Sequence, residues 1–219
     1  MNCTRMKNNK VWIYPSELDD LQPYMVNKPY QQSHRNKIIE YLISIKQPFR
    51  NCIDVGSHIG IWSNDFVKLF EWVHAFEIIK EMRECYIKNV EGENYTLYPF
   101  GLGREEKIVS VNYVPQHSKN TQIDSNGTYR AEIRPIDSLN LKNVDYIKMD
   151  VEGYELEVLK GATKLLNSQT PIIHLEMKLG VLKKFNLDKQ TIRDWLAQHG
   201  YQQVLKISNE FIFKKNKEQ

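Results

Sequence analysis

The sequence predicts an α/β fold: a doubly wound, mostly parallel sheet that ends in a C-terminal antiparallel hairpin. Short apolar segments alternate along the chain with amphipathic segments of helical spacing. This alternation is typical of βαβ units, in which helices cover both faces of a parallel sheet. Two strand-like segments on either side of Ser208-Asn209 predict the terminal hairpin.

The N-terminal part of the chain gives a weaker pattern than the rest. Residues 1–30 hold prolines and aromatic residues without periodicity, so we expect an irregular N-terminal arm. Residues 31–219 suit one domain. A helix is expected after Ser33, because apolar residues repeat with helical spacing between positions 38 and 43. The first strand then leads into Asp54.

The later elements follow in regular order. Further strands of the main sheet are predicted over Trp72–Glu77, Tyr95–Phe100, Asp145–Asp150 and Ile172–Met177. One helix is expected after each of the first, second and fourth strands, with apolar faces over 61–70, 82–90 and 156–166. Asp188 is suited to cap a last helix, which Gly200 stops. Between strands three and four, alternating residues predict an extra β-hairpin beside the main sheet.

The most informative segment is Asp54-Val55-Gly56-Ser57-His58-Ile59-Gly60. It predicts a strand, a glycine turn and a helix start, where the backbone can approach a ligand closely and present free N–H groups. The third glycine of the dinucleotide fingerprint is missing, and no Lys-Ser/Thr pair marks a phosphate loop. We therefore take Asp54, Gly56, Ser57, His58 and Gly60 as candidates for a nucleoside-containing cofactor.

A second candidate lies at the end of the next strand. Glu77 follows Asp54 by a little over twenty residues, where an acid in a βαβ nucleotide fold accepts hydrogen bonds from ribose hydroxyls. A carboxylate suits this role because it is an acceptor only and makes charge-assisted bonds. Each feature alone is more typical of an ordinary turn or a surface acid. Together, at this spacing, they favour a nucleoside site.

Composition excludes several other classes. The net charge of +3 is too small to indicate nucleic acid or a membrane surface, and no segment is apolar enough to span a bilayer. Cys3, Cys52 and Cys85 are odd in number and form no C-x-x-C pair, so neither a disulfide framework nor a zinc site is indicated. The first ten residues lack the apolar core of a signal peptide. We expect a cytoplasmic protein.

Acidic residues gather at the end of the fourth predicted strand, in Lys148-Met149-Asp150-Val151-Glu152-Gly153-Tyr154-Glu155. His174 and Glu176 share one face of the next strand. Such groups at one sheet edge can serve as a base, orient a hydroxyl or hold a hard cation. Equally, Glu152 and Glu155 suit the start of a helix, and His174 suits a buried, hydrogen-bonded position.

The chain resembles the FkbM-type methyltransferases from about Tyr30 to the C-terminus. The resemblance rests on the glycine turn and on four further motifs, of which the Lys148–Glu155 segment is the most specific. These are Val73-His74-Ala75-Phe76-Glu77, Ile136-Asp137-Ser138-Leu139, Lys148–Glu155 with Val158-Leu159-Lys160-Gly161-Ala162, and Pro171-Ile172-Ile173-His174-Leu175-Glu176.

Membership of that family implies a seven-stranded class I methyltransferase fold, with S-adenosylmethionine as donor and S-adenosylhomocysteine as product. It usually implies O-methylation of sugars, glycans or polyketide hydroxyls. The family often has proline after the ribose-binding acid, where Ile78 stands here, and residues 117–128 replace a Gly/Ser-rich stretch. We expect Gly101 and Leu102 to border the adenine, with Leu102 as an apolar wall, and we count Ile78 and Asp150 among the cofactor-binding candidates.

For the chemistry, Asp150 is the first candidate base and His174 the second. Glu152 would orient the acceptor, or join Asp150 and Glu176 on a divalent ion; the sequence leaves open whether a metal takes part. It also leaves open the acceptor and the oligomeric state. The alternatives are an N-methyltransferase, although the Asn-Pro-Pro-Tyr motif is absent, and a non-catalytic S-adenosylmethionine-binding module. A nicotinamide oxidoreductase is more distant.

Overall fold

A computed structural model describes residues 2–5, 11–15, 31–114 and 121–215. Its strands, in chain order, are β1 (Asn2–Arg5), β2 (Val11–Tyr14), β3 (Asn51–Val55), β4 (Trp72–Phe76), β5 (Tyr95–Tyr98), β6 (Gly101–Leu102), β7 (Lys107–Asn112), β8 (Gln122–Ile123), β9 (Tyr129–Arg134), β10 (Val144–Met149), β11 (Ile172–Glu176), β12 (Tyr201–Ile207) and β13 (Glu210–Lys215). Its α-helices are α1 (Gln32–Ser44), α2 (Ser63–Phe66), α3 (Lys80–Asn89), α4 (Glu155–Lys160), α5 (Thr163–Ser168), α6 (Leu179–Leu182) and α7 (Lys189–Gln198). Single 3-10 turns span Ile136–Leu139 and Lys183–Phe185.

The main sheet has seven strands in the order β12-β13-β11-β10-β3-β4-β5. The five strands from β11 to β5 are parallel, and β13 pairs antiparallel with both β11 and β12. The predicted fold class is confirmed: the sheet is mostly parallel and carries a C-terminal antiparallel hairpin. The turn at Ser208-Asn209 joins β12 to β13, as the sequence predicts.

Two apolar cores cover the two faces of this sheet. Ile53, Ile147 and Ile173 lie in one core, whereas their neighbours Cys52 and Tyr146 lie in the other. Successive strand residues point to opposite faces, so central strands buried on both sides become continuously apolar. This burial explains why short unbroken apolar segments predict the strands correctly.

The predicted extra hairpin forms within a second, four-stranded sheet of order β6-β9-β7-β8. Its strands β7 and β9 pair antiparallel from Lys107 opposite Ile133 to Val111 opposite Tyr129. The prediction for the third strand was too long, because β5 ends at Tyr98 and Gly101–Leu102 pairs with β9 instead. Residues 115–120 of the predicted polar loop lie outside the described residues.

Two helix predictions need correction. The segment after the glycine turn is buried as expected, but only Ser63–Phe66 is helical, so no helix begins at the turn itself. The single helix predicted over 156–166 is two helices, α4 and α5. Asp137 accepts hydrogen bonds from the backbone N–H groups of Lys164 and Leu165, which caps a new helix start.

The N-terminal arm was predicted to be irregular, yet β1 and β2 form an antiparallel ribbon from Asn2 opposite Tyr14 to Arg5 opposite Val11. Trp12 and Tyr14 are buried in a small core with Ile59 and Met82. Local hydrophobic periodicity cannot show such a pairing. Residues 16–30 lie outside the described residues, and the domain boundary at residue 30 stays a prediction. Among the described helices, none has the length and apolar character needed to cross a bilayer.

Candidate functional site

Three neighbouring parallel strands end at the same level of the main sheet. Val55 of β3 lies opposite Met149 of β10 on one side and Phe76 of β4 on the other. The next residue on each strand is Asp150, Gly56 or Glu77. Ligands of open α/β sheets bind at this carboxyl edge. The register therefore brings Asp150, Gly56 and Glu77 to one edge, as the sequence predicts.

Gly56 has a φ of +76°, a conformation that glycine adopts readily. Its backbone N–H donates to the carbonyl of Phe76 at 3.0 Å, which directs the chain across the sheet edge. A Cβ at this position would overlap the carbonyl oxygen of Asp150. Glycine is therefore needed here because the ends of β3 and β10 pass so close to each other. This requirement holds whether or not a ligand approaches the turn.

A cavity of about 500 Å³ opens at this edge. On one side its wall is formed by Gly56, Ser57, His58, Glu77, Gly101 and Leu102. Ile78 also lines it, next to Glu77. The second sheet contributes Ile123 and Ile133. The volume and the mixture of apolar walls with few polar groups are those of a small-molecule site.

Both carboxylate oxygens of Glu77 hold backbone N–H groups at the cavity. Oε2 accepts from His58 at 3.0 Å, and Oε1 accepts from Ile79 at 2.8 Å. Burial raises the pKa of Glu77, and these N–H groups limit the rise. Each oxygen keeps a second lone pair, so the carboxylate can still accept a ligand hydroxyl.

The turn contributes further features expected of a ligand site. The Ser57 hydroxyl is buried and has no hydrogen-bond partner among the described residues. His58 has a φ of +52°, which is uncommon for a residue other than glycine. Strained backbone and unpaired buried polar atoms are costly and are found most often at functional sites. The wall around Ser57 therefore has the character of a cradle for a polar ligand.

The opposite side of the cavity carries a carboxylate cluster, which we define as Asp150, Glu152 and Glu176. One oxygen of each lies within 4.8 Å of the other two. Among these carboxylates lies Lys178, whose Nζ is 2.7 Å from Glu152 Oε1 and 3.0 Å from Glu176 Oε2. All four residues line the cavity. Burial and the neighbouring Asp150 raise the pKa of both Glu152 and Glu176.

A second lysine, Lys148, lies near Asp150. Lys148 is buried, with Nζ 3.5 Å from Asp54 Oδ1 and 3.9 Å from Asp150 Oδ2. Burial lowers the pKa of Lys148, but Asp54 and Asp150 outweigh it, so the pKa is raised. Burial raises the pKa of Asp150, but Lys148 and Lys178 outweigh this effect, so the pKa lies below its usual value. Asp150 is therefore ionised at neutral pH.

The turn that follows Asp150 is held by a buried carboxyl group. Glu155 Oε1 accepts from the backbone N–H groups of Gly153 at 3.2 Å and Val151 at 3.3 Å. Glu152 has a φ of +49°, a strained value within this turn. Burial raises the pKa of Glu155 to about 7, although these hydrogen bonds lower it. The predicted helix-start role of Glu155 agrees with its place in the first turn of α4.

Two predicted cofactor residues lie behind the cavity wall instead of on it. Asp54 is fully buried, accepts a hydrogen bond from Ser63 Oγ at 2.6 Å and pairs with Lys148. Gly60 has a φ of +89°, and a Cβ there would press on Val90 and Tyr86. Neither belongs to the cavity lining. Both support the turn through packing, and the direct cofactor contacts that the sequence predicts for them stay a prediction.

His174 also lies away from the cavity. It is fully buried, with Nδ1 2.7 Å from the Tyr146 hydroxyl and Nε2 2.7 Å from Glu210 Oε2. Trp62 packs edge-on against the ring. Alternation along β11 does put His174 and Glu176 on one face, but Glu176 lies at the strand end and His174 two residues deeper. This placement matches the buried, hydrogen-bonded alternative, and it leaves Asp150 as the candidate base that lines the cavity.

Residues 54–202 match the model of the "Methyltransferase FkbM domain". The match spans more than half of the chain. This chain belongs to the FkbM methyltransferase family. The matched segment begins at Asp54 and contains the glycine turn, Glu77 and the whole carboxylate cluster.

One curated relative is the hexuronic acid methyltransferase AglP of Haloferax volcanii. It is 28% identical over 140 residues, which cover 58% of this chain and 56% of the relative. The chain thus spans about half the length of the curated relative that it matches.

Solved structures show the same class I methyltransferase fold. An FkbM methyltransferase from Methylobacillus flagellatus KT superposes with a TM-score of 0.54 at 20% identity, covering 80% of this chain and 46% of that one. Magnesium protoporphyrin IX methyltransferase from Synechocystis PCC 6803, solved with bound SAH, gives a TM-score of 0.50 at 13% identity. Coverage there is 85% of this chain and 83% of the other.

In this FkbM-family chain, sequence reasoning missed both lysines of the site. Lys148 lies within the Lys148–Glu155 motif, which does not indicate a role for it, and Lys178 lies outside every motif. A signal for each was available. Lys148 stands in the middle of an apolar strand, where an unpaired charge would be costly. Lys178 follows Glu176 by two residues, the spacing that places side chains on one side of an extended chain.

Proposed function

We propose that this chain is an S-adenosylmethionine-dependent O-methyltransferase. Its acceptor is a hydroxyl on a sugar, a glycan or a small hydroxylated metabolite. The observation that carries the proposal is one cavity with two chemically different sides. Glu77 and the glycine turn form one side, and the ionised Asp150 lies on the other.

The donor side fits a nucleoside. Glu77 retains free lone pairs for two ribose hydroxyls, and the unpaired Ser57 hydroxyl supplies a further polar contact. Leu102 and Gly101 give an apolar wall for the base. When bound, S-adenosylmethionine supplies a methyl group on a sulfonium, which is already activated for displacement. The protein therefore has to position the acceptor and manage its proton.

The acceptor side can manage that proton. Asp150 lies half-buried on the cavity wall and is held ionised by Lys148 and Lys178. In our proposal, its carboxylate accepts a hydrogen bond from the acceptor hydroxyl and takes the proton as the oxygen attacks the methyl carbon. Glu152 orients the acceptor.

The curated relative supports a sugar as acceptor, because it is named as a methyltransferase of a hexuronic acid. The test is transfer of a labelled methyl group from S-adenosylmethionine to a panel of glycans and small hydroxylated metabolites. We expect label on an oxygen atom of one of them. Label on amines of a protein or nucleotide would instead support N-methylation. Calorimetric donor binding without any transfer across a broad panel would favour a binding module.

A further inference from the structure

Lys178 is directed into the carboxylate cluster by its backbone. Its φ of −96° and ψ of 114° are extended, so the alternation of β11 continues past the strand end. Glu176 and Lys178 therefore project to the same side. The carbonyl of Lys178 accepts hydrogen bonds from the N–H groups of Val181 and Leu182, each at 3.0 Å. The start of α6 thus holds the residue in place.

The ammonium group lies where a cation ligated by this cluster would bind. Its Nζ is 2.7 Å from Glu152 Oε1, 3.0 Å from Glu176 Oε2 and 3.9 Å from Asp150 Oδ1. The ammonium donates a hydrogen bond to Glu152, and its contacts with Glu176 and Asp150 are ion pairs. The lysine side chain is only 34% exposed. A divalent ion bound by the same three oxygens would have to displace it.

We propose that Lys178 is the resident cation of the carboxylate cluster, so that this site holds an ammonium where its three carboxyl groups would otherwise bind a divalent metal ion. Lys178 is then a positioning residue, which fixes Asp150 and Glu152 toward the acceptor. That role rests on the proposed function, whereas the exclusion of metal does not. The donor set without the lysine is all oxygen, which suits Mg²⁺, Mn²⁺ or Ca²⁺.

Charge supports this inference. A lysine ammonium has an ordinary pKa of about 10.4, and carboxyl groups this close favour its charged form. The lysine therefore stays charged at neutral pH, and it repels any divalent ion that approaches the same oxygens. Methionine is uncharged and one atom shorter than lysine, so replacing Lys178 with it removes the repulsion and frees the position of Nζ between the three carboxyl groups.

The experiment measures Mn²⁺ binding by calorimetry and by electron paramagnetic resonance, without donor or acceptor. It compares the wild type with Lys178→Met. Lys178→Arg keeps the charge. Lys184→Met is the matched control, because the Lys184 ammonium lies near the site but bonds to Gln122 at 3.1 Å. The assay needs no methyl transfer, so its outcome is independent of whether the proposed function holds.

We expect Lys178→Met to bind one Mn²⁺ at least about tenfold tighter than the wild type. Lys178→Arg and Lys184→Met should behave like the wild type, and adding Glu152→Gln to Lys178→Met should abolish the gain. Equal binding by wild type and Lys178→Met, or no binding by either, overturns the proposal. If Lys178→Met does not fold alone, recovery of its native circular dichroism with Mn²⁺ supports the proposal, and no recovery overturns it.

Discussion

The Glu77 carboxylate and the His58 backbone are joined by a hydrogen bond of 3.0 Å, from the N–H of His58 to Oε2. This bond ties the end of β4 to the turn that follows β3. Because Glu77 Oε1 also holds the Ile79 N–H, the side chain organises the cavity wall as well as facing the cavity. Replacing Glu77 by alanine would therefore disturb both the turn and any ligand contact.

Glu77→Gln separates these two roles better than alanine. One carbonyl oxygen of the amide can still accept a backbone N–H, but the negative charge is lost. We expect binding of S-adenosylmethionine to weaken by about 1.5–3 kcal/mol, the range for a charge-assisted hydrogen bond. Calorimetry on the folded variant measures this. Glu81→Gln, on the exposed side of α3, is the control, and unchanged affinity in Glu77→Gln would rule out the ribose role.

Gly56→Ala should destabilise the folded protein even when no ligand is present. The new Cβ would overlap the Asp150 carbonyl and add the strain of a positive φ. We expect the free energy of unfolding to fall by about 3 kcal/mol or more, measured by urea denaturation without ligand. Gly180→Ala is the matched control, since nothing lies within 4 Å of its Cβ position. A stable variant that only lost donor affinity would contradict this account.

His174→Ala should affect stability more than chemistry. The ring contacts the Tyr146 hydroxyl and Glu210, and its removal leaves both buried groups without that partner. We expect a loss of about 2–4 kcal/mol in the free energy of unfolding. Methyl transfer per folded molecule should be retained. If stability is kept and turnover collapses, His174 acts in the reaction despite lying outside the cavity.

The sequence predicts those features that depend on strand ends. Gly56, Glu77 and Asp150 each follow an apolar strand, and neighbouring parallel strands place such residues at one edge. It could not separate residues on the wall from residues behind it. Asp54 stands only two positions before Gly56, yet its side chain points to Ser63 and Lys148 within the core.

The sequence also does not predict which distant segments pair with each other. The register of β11 against β13 pairs Glu210 with Glu176, from where Glu210 reaches His174 diagonally, and a single sequence does not show that register. For the same reason, the ribbon of β1 and β2 and the pairing of Gly101–Leu102 with β9 were missed. These contacts are set by packing and by nonlocal hydrogen bonds, which local periodicity does not encode.

Asp150→Asn tests the chemistry at nearly constant shape. The amide cannot take the acceptor's proton, so we expect turnover to fall by about 10²–10⁴, the usual contribution of general acid–base catalysis. Donor affinity should change little, because Glu77 and the glycine turn are intact. Single-turnover methyl transfer on the true acceptor measures the effect, with the exposed Asp194→Asn as control. Near-normal turnover would show that Asp150 is structural.

Glu155 should give the protein a stability that falls as pH rises. Burial raises its pKa from an ordinary value of 4.5 to about 7, so the folded state binds its proton more tightly than the unfolded state. Between these two values the unfolded state loses the proton first, and the free energy of unfolding declines with pH. Full ionisation corresponds to a loss of about 3 kcal/mol. Below the lower value and above the higher one, this contribution is constant.

Glu155→Gln removes this titration and leaves an oxygen to accept the Gly153 and Val151 N–H groups. We expect the stability of the variant relative to wild type to increase from about pH 4.5 to about pH 7 and then to level off. Urea denaturation of both proteins across that range measures the difference, from which other titrating groups cancel. Glu157→Gln, on the half-buried side of the same helix, is the control. A difference that does not vary with pH would show that the pKa of Glu155 is the same in the folded and unfolded states, and its buried, unpaired Oε2 would then require another source of compensation.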